Sequence, residues 1–462
     1  MNAMRHPLQL LIALGAVACG GGGGGGAEEP SGCGVGPIEI EKLEPVACTS
    51  DHCSSESGWV RAFEPATELR GVDLSGEFAV VAGHSAAELE LGVPNPVAGE
   101  RSVFLASLDG EGELRWSMRL GSTPRDTVEV RGVAQAGDLA CLAGELQGHA
   151  DFGSGLLELE NRGAFVACFD AGSGAPRWSR AFPAGSGAVS GLRLAGDSLG
   201  RLHLLLWGVT AFGLVEDPAC TDASCVVLAT FDGDGELGAA RAWKLDQRPP
   251  PRSDAFELAT DPDGRVAIAG HLSAPVLFAP FHLAPEGEGD GLVVLLDAEM
   301  SPYAAATWSS GPYPGKVELA YTPAGEVLVS STFTETLALE GEQFAAEEGR
   351  DLFVVGWQTG HRRTRHFPLP GLQLGAVVTG SADGLLYLAT SGSSAVHGGQ
   401  LLVVDEEGAS WELSSFGTGV EPRWIEAGAA GDLWVGGSWR GELRANGFEL
   451  FAQDERSFLL RR

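Results

Sequence analysis

Short runs of apolar and β-branched residues, each opening at a turn glycine and closing on a small residue, recur down the whole chain. GEFAVVAG ends at Gly83, GDLACLAG at Gly144, GRLHLLLWG at Gly208 and GRVAIAG at Gly270. GEVLVSS at Ser331, GLLYLAT at Thr390 and GDLWVGG at Gly437 follow the same form. The seven anchors are separated by 61, 64, 62, 61, 59 and 47 residues. A near-fixed period of this length signals repeated supersecondary units.

A second run follows each anchor, rich in β-branched and aromatic residues and closing on Asp or a polar turn: VFLASLD, FVACFD, VVLATFD, LVVLLD, LFVVGW, LLVVD and FLLRR. A further strand comes next, as in LRWSMRL, PRWSRAF, GAARAW and AAATW. With an inner strand before each anchor, every period holds about four short strands, the content of a β-propeller blade. No stretch longer than one strand carries the 3.6-residue apolar period of an amphipathic helix. The chain is therefore predicted to be all-β, a seven-bladed β-propeller with four-stranded blades.

The last period stops after FLLRR at Arg462 and lacks its fourth strand, whereas GWVRAF at Gly58–Phe63 matches PRWSRAF at Pro176–Phe182. This predicts ring closure by an N-terminal strand that completes the last blade and leaves no open sheet edge between first and last. The domains expected are a signal segment over 1–19, a tether over 20–57 and the propeller over 58–462.

The first nineteen residues change the picture from fold to location. Arg5 precedes the apolar LQLLIALGAVA, which is too short to span a bilayer, and Ala16-Val17-Ala18-Cys19 reads as a lipobox with Cys19 the residue to be lipidated. Ala16 stands where Leu is usual, and an ordinary secretory signal with a coincidental Cys is the alternative. Seven consecutive glycines, Gly20–Gly26, suit a flexible tether behind an anchored Cys. The expectation is export to the cell envelope as an outer-membrane lipoprotein, attached to membrane through that one lipid anchor.

Export makes disulfides plausible. The CTSDHC spacing of Cys48 and Cys53 recurs as CTDASC at Cys220 and Cys225, and a Cys220–Cys225 bridge is expected to staple a loop between the second and third strands of the third repeat. Cys141 and Cys168 fall on adjacent strands, where they either bridge or remain small buried thiols, with buried thiols preferred. Without Cys19 seven cysteines remain, Cys33 among them, an odd number, so at least one thiol stays unpaired unless it bridges another chain. No metal-ligand spacing is present, and no metal or cofactor is expected.

A formal net charge of −32 argues against nucleic acid or anionic lipid as partners. The basic run His361-Arg362-Arg363-Thr364-Arg365-His366 departs from it and reads as a solvated outer hairpin of the fifth repeat, or else as a contact for a phosphate or carboxylate of an envelope component. There is no GxSxG nucleophile elbow, the string Gly196–Gly200 falling at a turn glycine between two strands, and HExxH and P-loop motifs are absent; the DGDG turn at Asp232 and DPDG turn at Asp261 do not continue into calcium loops. Within the inner strands, Arg193, Glu257 and Glu318 share an offset of seven residues before their turn glycines and are expected to line one level of the central channel. His84 and His271 follow anchor glycines and are expected to be loop residues.

The succession of inner strand, DxxG-like turn, VxVAG strand, FVAxLD strand and Trp-bearing outer strand, from Trp59 to Arg462, resembles the long β-propeller repeats of bacterial secreted and surface lipoproteins. That resemblance implies seven blades and an envelope location, and it carries over no functional residue. A weaker similarity, to quinoprotein and outer-membrane assembly propellers, rests on Leu108-Asp109 with Trp116 and Phe169-Asp170 with Trp178; quinone-dependent dehydrogenation is not expected. Two functions follow as expectations. The favoured one is a non-catalytic lipoprotein that binds or scaffolds a protein or glycan ligand on a propeller face. The other is a propeller enzyme acting on an envelope or extracellular polymer through channel-mouth carboxylates such as Glu257 and Glu318.

Overall fold

The computed structural model describes residues 46–47, 52–55 and 58–462, apart from 64–66, 76–77, 86–101, 121–125, 185–188, 209–211, 216–219, 221–223, 246–254, 273, 286–289, 312–314, 340, 359–360, 368–371, 382–383, 393–398, 406–409, 418, 429–431 and 446–447. Cys19, the glycine run, Cys33 and the Cys48–Cys53 pairing lie outside the described residues.

Each repeat folds as an antiparallel meander of four strands. The first runs through Thr67–Ser75, Phe78–Ser85, Ser102–Leu108 and Leu114–Leu120; the second through Thr127–Ala136, Leu139–Asp151, Leu156–Asp170 and Pro176–Phe182. Val189–Gly196, Leu202–Gly208, Ser224–Phe231 and Leu237–Leu245 form the third, and Leu372–Gly380, Leu386–Gly392, Gly399–Val404 and Ser410–Gly417 the sixth. The strands are buried and nearly continuous in apolar residues at their middles, as sheets covered on both faces require. Inner strands of successive repeats pack side by side in chain order, and that of the last packs against that of the first. The result is an all-β propeller.

Five of its sheets are separate blades, and one is a longer, curled sheet of eight strands that joins the fourth and fifth repeats. This departs from the expectation of seven separate sheets. The cause is a hairpin extension: Val327–Leu339 and Glu342–Gln358 run beyond their blade, so that Leu339 and Ala338 pair with Trp308 and Ser309 on the outer strand of the fourth repeat. In the same way the small hairpin Val276–Phe278 and Phe281–Leu283 of the fourth repeat pairs with Leu245 of the third.

Elsewhere the blades are tied by tryptophan. Trp59 Nε1 donates to Gly110 O at 2.8 Å, Trp116 Nε1 to Ala171 O at 2.9 Å and Trp178 Nε1 to Gly233 O at 3.1 Å, each reaching the turn of the next repeat. The turn glycine beneath each indole, Gly112, Gly174 or Gly235, has φ of +79°, +73° or +79°, and a Cβ there would lie within 3 Å of the ring. Only glycine fits both demands. Each tie therefore needs a Trp and, about 55 residues later, an Asp-led turn ending in Gly. The Asp232 and Asp261 turns are of this kind: Asp232 Oδ1 accepts from Asp234 N and Glu236 N, and Asp261 Oδ1 from Arg265 N, which makes them hairpin turns.

The strand Gly58–Ala62 pairs antiparallel with Phe448–Arg461, from Trp59 opposite Arg461 to Ala62 opposite Phe458. It lies beyond Val420–Ala427 and Leu433–Ala445 in the last sheet, as the sequence predicts, and Val46–Ala47 and His52–Ser55 extend that sheet further.

Two disulfides are present among the described residues. Cys220–Cys225 staples the third repeat as expected. Cys141–Cys168 corrects the preference for buried thiols: Cys168 sits directly opposite Cys141 in the register, with Cα atoms 4.1 Å apart, so both side chains leave the same face and meet. With a sequence separation of 27 this bridge restricts a sizeable loop of the unfolded chain, about 3.5 kcal/mol on a loop-entropy scale. Peptide mass mapping without reductant is expected to recover both bridges, and a Cys141→Ala/Cys168→Ala variant to lose stability of about that size. Alkylation of Cys141 and Cys168 in the unreduced, denatured protein would remove the bridge from the account.

Candidate functional site

The inner strands enclose an axial cavity of about 1100 Å³. Strand register assigns its walls to levels. In every repeat one inner-strand residue pairs with the fourth residue of the second strand, and these residues share a level of the channel. On three consecutive repeats they are Arg193, Glu257 and Glu318. On the other four, closing the circle, they are Val377, Trp424, Val72 and Val133. All line the cavity. The channel is thus two-sided, with a charged arc facing an apolar one.

The equal offset of Arg193, Glu257 and Glu318 holds in three dimensions. Arg193 donates both Nε and Nη2 to Glu257, at 2.6 and 2.7 Å, a forked pair that fixes both side chains. Lys316, which the sequence reading missed, completes the row: its ammonium bonds Glu318 and stands 3.9 Å from Glu257. Its side chain lines the cavity and is 40 % exposed. Crowding by the walls opposes its charge, but Glu318 and Glu257 hold the ammonium above the usual Lys range. Burial pushes the Glu318 carboxyl up to about 7 against the pull of Lys316.

Two residues farther along each inner strand is a second level. Here the three charged repeats contribute only Ala195, Ala259 and Ala320, which leaves room above the charged row. The other side contributes Thr379, Glu426, Leu74 and Gln135. Asp73 Oδ2 accepts from Gln135 N at 2.6 Å, Gln135 Nε2 donates to Asp73 O at 2.7 Å, and Glu426 Oε2 accepts from Leu74 N at 3.2 Å. These bonds cross two blade junctions, last to first and first to second. Burial raises the Asp73 carboxyl to about 7, opposed by the N–H groups of Gln135 and Leu74. Burial, and then the charge of Asp73, raise Glu426 well above the carboxylate range.

Asp73, Gln135, Lys316, Trp424 and Glu426 were not singled out in sequence. The signal available for Asp73, Gln135, Trp424 and Glu426 was their place within the inner-strand segments LRGVDL, VRGVAQ and WIEAGA, whereas Lys316 lies just before VELAY; what was missing was which residues of neighbouring inner strands meet in space.

The other candidates fall elsewhere. His84 and His271 are strand residues, which corrects the loop assignment. Val130 N donates to His84 Nε2 at 3.0 Å and His271 Nε2 donates to Gly315 O at 2.6 Å, so each ties its blade to the next inner strand. The basic run occupies the outer strand His361–Phe367, where Arg362 pairs with Glu342 at 2.8 Å and His366 with buried Asp351 at 2.7 Å. An Asp197–His203–Thr230 chain, with 3.1 Å at each step, has the order of a nucleophilic relay. All three are buried, at 4, 1 and 8 % exposure, and the Thr230 hydroxyl donates to Met300 Sδ at 3.4 Å, which engages it within the core. Among the described residues no group of three or more His, Cys, Asp or Glu is placed to hold a metal ion, and no helix is long and apolar enough to cross a membrane.

The sequence matches no family model, and no curated protein matches it. Among solved structures it is similar to the β-propeller domain of the Trilobed protease from Pyrococcus furiosus, with TM-score 0.45, 10 % identity, and coverage of 86 % of this chain and 93 % of that one. A protein of unknown function from Bacteroides caccae gives TM-score 0.38, 13 % identity, and coverage of 73 and 94 %. Virginiamycin B lyase from Staphylococcus aureus gives TM-score 0.41, 10 % identity, and coverage of 90 and 98 %.

Proposed function

We propose that this protein is an exported, lipid-anchored propeller of seven blades whose axial channel binds a protein segment or glycan without transforming it. The observation that carries the binding reading is the two-sided channel, whose charges are already paired with one another and so present an ordered surface in place of a reactive group. Counting the curled sheet as two blades is supported by its two inner strands, Phe256–Thr260 and Glu318–Tyr321, which take successive places in the circle. Two disulfides favour an oxidising compartment; the anchor at Cys19 rests on sequence alone.

The test is to plug the channel. In an Ala259→Trp/Ala320→Trp variant the open level is filled while both disulfides and the paired charges stay. Immobilised wild type is expected to retain, from an envelope extract of the producing cells, at least one molecule that the plugged variant does not. Identical retained sets, read by mass spectrometry, would defeat the channel as the binding place.

A second reading, an enzyme acting on a polymer, draws on Glu318, raised to about 7 beside Glu257, an arrangement that suits a general acid next to a carboxylate. It requires release of reducing ends that Glu318→Gln abolishes.

A further inference from the structure

Three inner strands carry the same Glu-x-Arg triplet: Glu68-Leu69-Arg70, Glu129-Val130-Arg131 and Glu421-Pro422-Arg423. In each the Arg is the extra residue of a bulge, skipped by the register between Leu69 and Gly71, Val130 and Gly132, or Pro422 and Trp424. The skipped position falls beside the anchor glycine every time, at Gly83, Gly144 or Gly437. A bulge re-aims the side chain it adds, and Arg70, Arg131 and Arg423 all line the cavity, on three consecutive blades across the ring closure. In a protein of net charge −32 this is a local exception.

Their holds differ. Arg131 is fixed, its Nε and Nη2 bonding buried Glu145 and Glu129 at 3.0 and 2.8 Å. Arg70 pairs with Glu68 at 2.8 Å, and Arg423 is held most loosely, by Glu421 at 3.6 Å and Glu455 at 3.5 Å. The Arg70 and Arg423 side chains are 28 and 33 % exposed, and Glu421 and Glu455 are 47 and 65 % exposed. Ion pairs between groups as exposed as these contribute about 0–1 kcal/mol, so a carboxylate better placed in the cavity displaces them at little cost.

The wall beside these two arginines is apolar. Val72, Leu74 and Trp424 line the cavity half-buried, and Trp424 and Val72 adjoin, since a Cβ on Gly436 would meet them at 3.0 and 3.5 Å. Asp73 and Glu426 line it too, but burial raises both carboxyls, so they repel an anion less than two ionised groups would. Across the channel Arg193 and Lys316 are balanced by Glu257 and Glu318. A planar carboxylate matches the guanidinium fork. A single charge suits the site better than several, because the acidic body repels a polyanion as a whole.

We propose that the channel wall where the last blade meets the first binds a monocarboxylate with an apolar body, its carboxylate on Arg423 and Arg70 and its body on Val72, Leu74 and Trp424. This rests on the channel binding proposed above and narrows the ligand to a free acid or the C-terminal end of a protein segment.

The experiment is calorimetric titration of the full folded chain with octanoate, N-acetylphenylalanine, N-acetylphenylalaninamide and potassium phosphate. At least one of the two carboxylates is expected to bind saturably: octanoate alone identifies a free acid, and N-acetylphenylalanine a C-terminal end. The amide, which keeps the ring and loses the charge, should bind about tenfold more weakly than its acid, and Arg423→Gln should weaken the carboxylate by a similar factor. Arg423→Lys should weaken it less, and Glu455→Gln, which frees Arg423 from one competitor, should strengthen it. Trp424→Ala is expected to weaken acid and amide alike. Thermal unfolding shows whether each variant is folded, and the Arg423 and Glu455 variants decide if Trp424→Ala is not. No carboxylate binding, equal binding of the amide or of phosphate, or binding indifferent to Arg423→Gln would each overturn the proposal. If the carboxylates fail while the plug still changes what the extract yields, the ligand class falls and channel binding stands; if neither responds, both fall.

Discussion

Trp59→Ala lowers the midpoint of thermal unfolding by about 4–6 °C, the largest effect expected of any single substitution described above. The indole is 4 % exposed, meets Trp434 edge-on at 5.2 Å and donates to Gly110 O of the first blade. Truncating a buried Trp costs about 3–5 kcal/mol, and a body of some 400 residues loses roughly 1.2 °C per kcal/mol near its midpoint. Removing Gly58–Ala62 altogether strips the pairing from Trp59–Arg461 to Ala62–Phe458 as well, so its effect must exceed that of the point variant. Scanning calorimetry of both proteins beside Leu156→Ala, at a side chain 65 % exposed, is the measurement. A Trp59→Ala midpoint equal to that of Leu156→Ala would mean that the first and last blades hold together without this strand.

Asp73→Asn changes how stability depends on pH. A carboxyl raised to about 7 in the fold from an ordinary value near 4 binds its proton more tightly folded than unfolded. Its contribution is therefore fully present below pH 4, is lost as pH rises from 4 to 7, and is absent above. Three pH units correspond to at most about 4 kcal/mol, and contact with channel water reduces that. Wild type is expected to lose unfolding temperature between pH 4.5 and pH 7.5 by a few degrees more than Asp73→Asn, and the variant to be the more stable of the two at pH 8. Parallel curves would show that Asp73 is ionised without cost. Glu426, raised for the same reason and facing Asp73, shares the transition, so the pair and not one residue sets its midpoint.

Much of this architecture was legible because the repeat prints itself twice. The anchors mark each second strand, which ends at its anchor only in the third repeat and runs past it in the others, and the Asp-led turns mark where the third strand gives way to the fourth. Closure was legible because GWVRAF carries the Trp and basic residue of PRWSRAF, and both indoles prove to reach a turn of the next blade. The fused fourth and fifth repeats were not legible. Their union depends on Leu339 meeting Trp308, a contact between hairpin tip and neighbouring blade that no periodicity announces. In the channel, Arg193, Glu257 and Glu318 could be aligned by counting, since their strands run to the turn without a bulge. Val377 and Trp424 keep the same offset of seven before Gly384 and Gly431, whereas Val72 and Val133 stand only four residues before Gly76 and Gly137, so the same count misplaces those two. Cys141 and Cys168 were placed on adjacent strands correctly; their bond required knowing that they stand directly opposite.

The strand that seals the propeller also sets a timetable for its making. Ala62 must wait for Phe458, 396 residues downstream, before it has anything to pair with. At ordinary rates of synthesis, about 5–20 residues per second, that is roughly 20–80 s during which an apolar edge stands bare. Whatever carries the nascent polypeptide must therefore shield its beginning until its end has emerged, and a chain cut short at any point before the final strand yields an unclosed arc that invites aggregation.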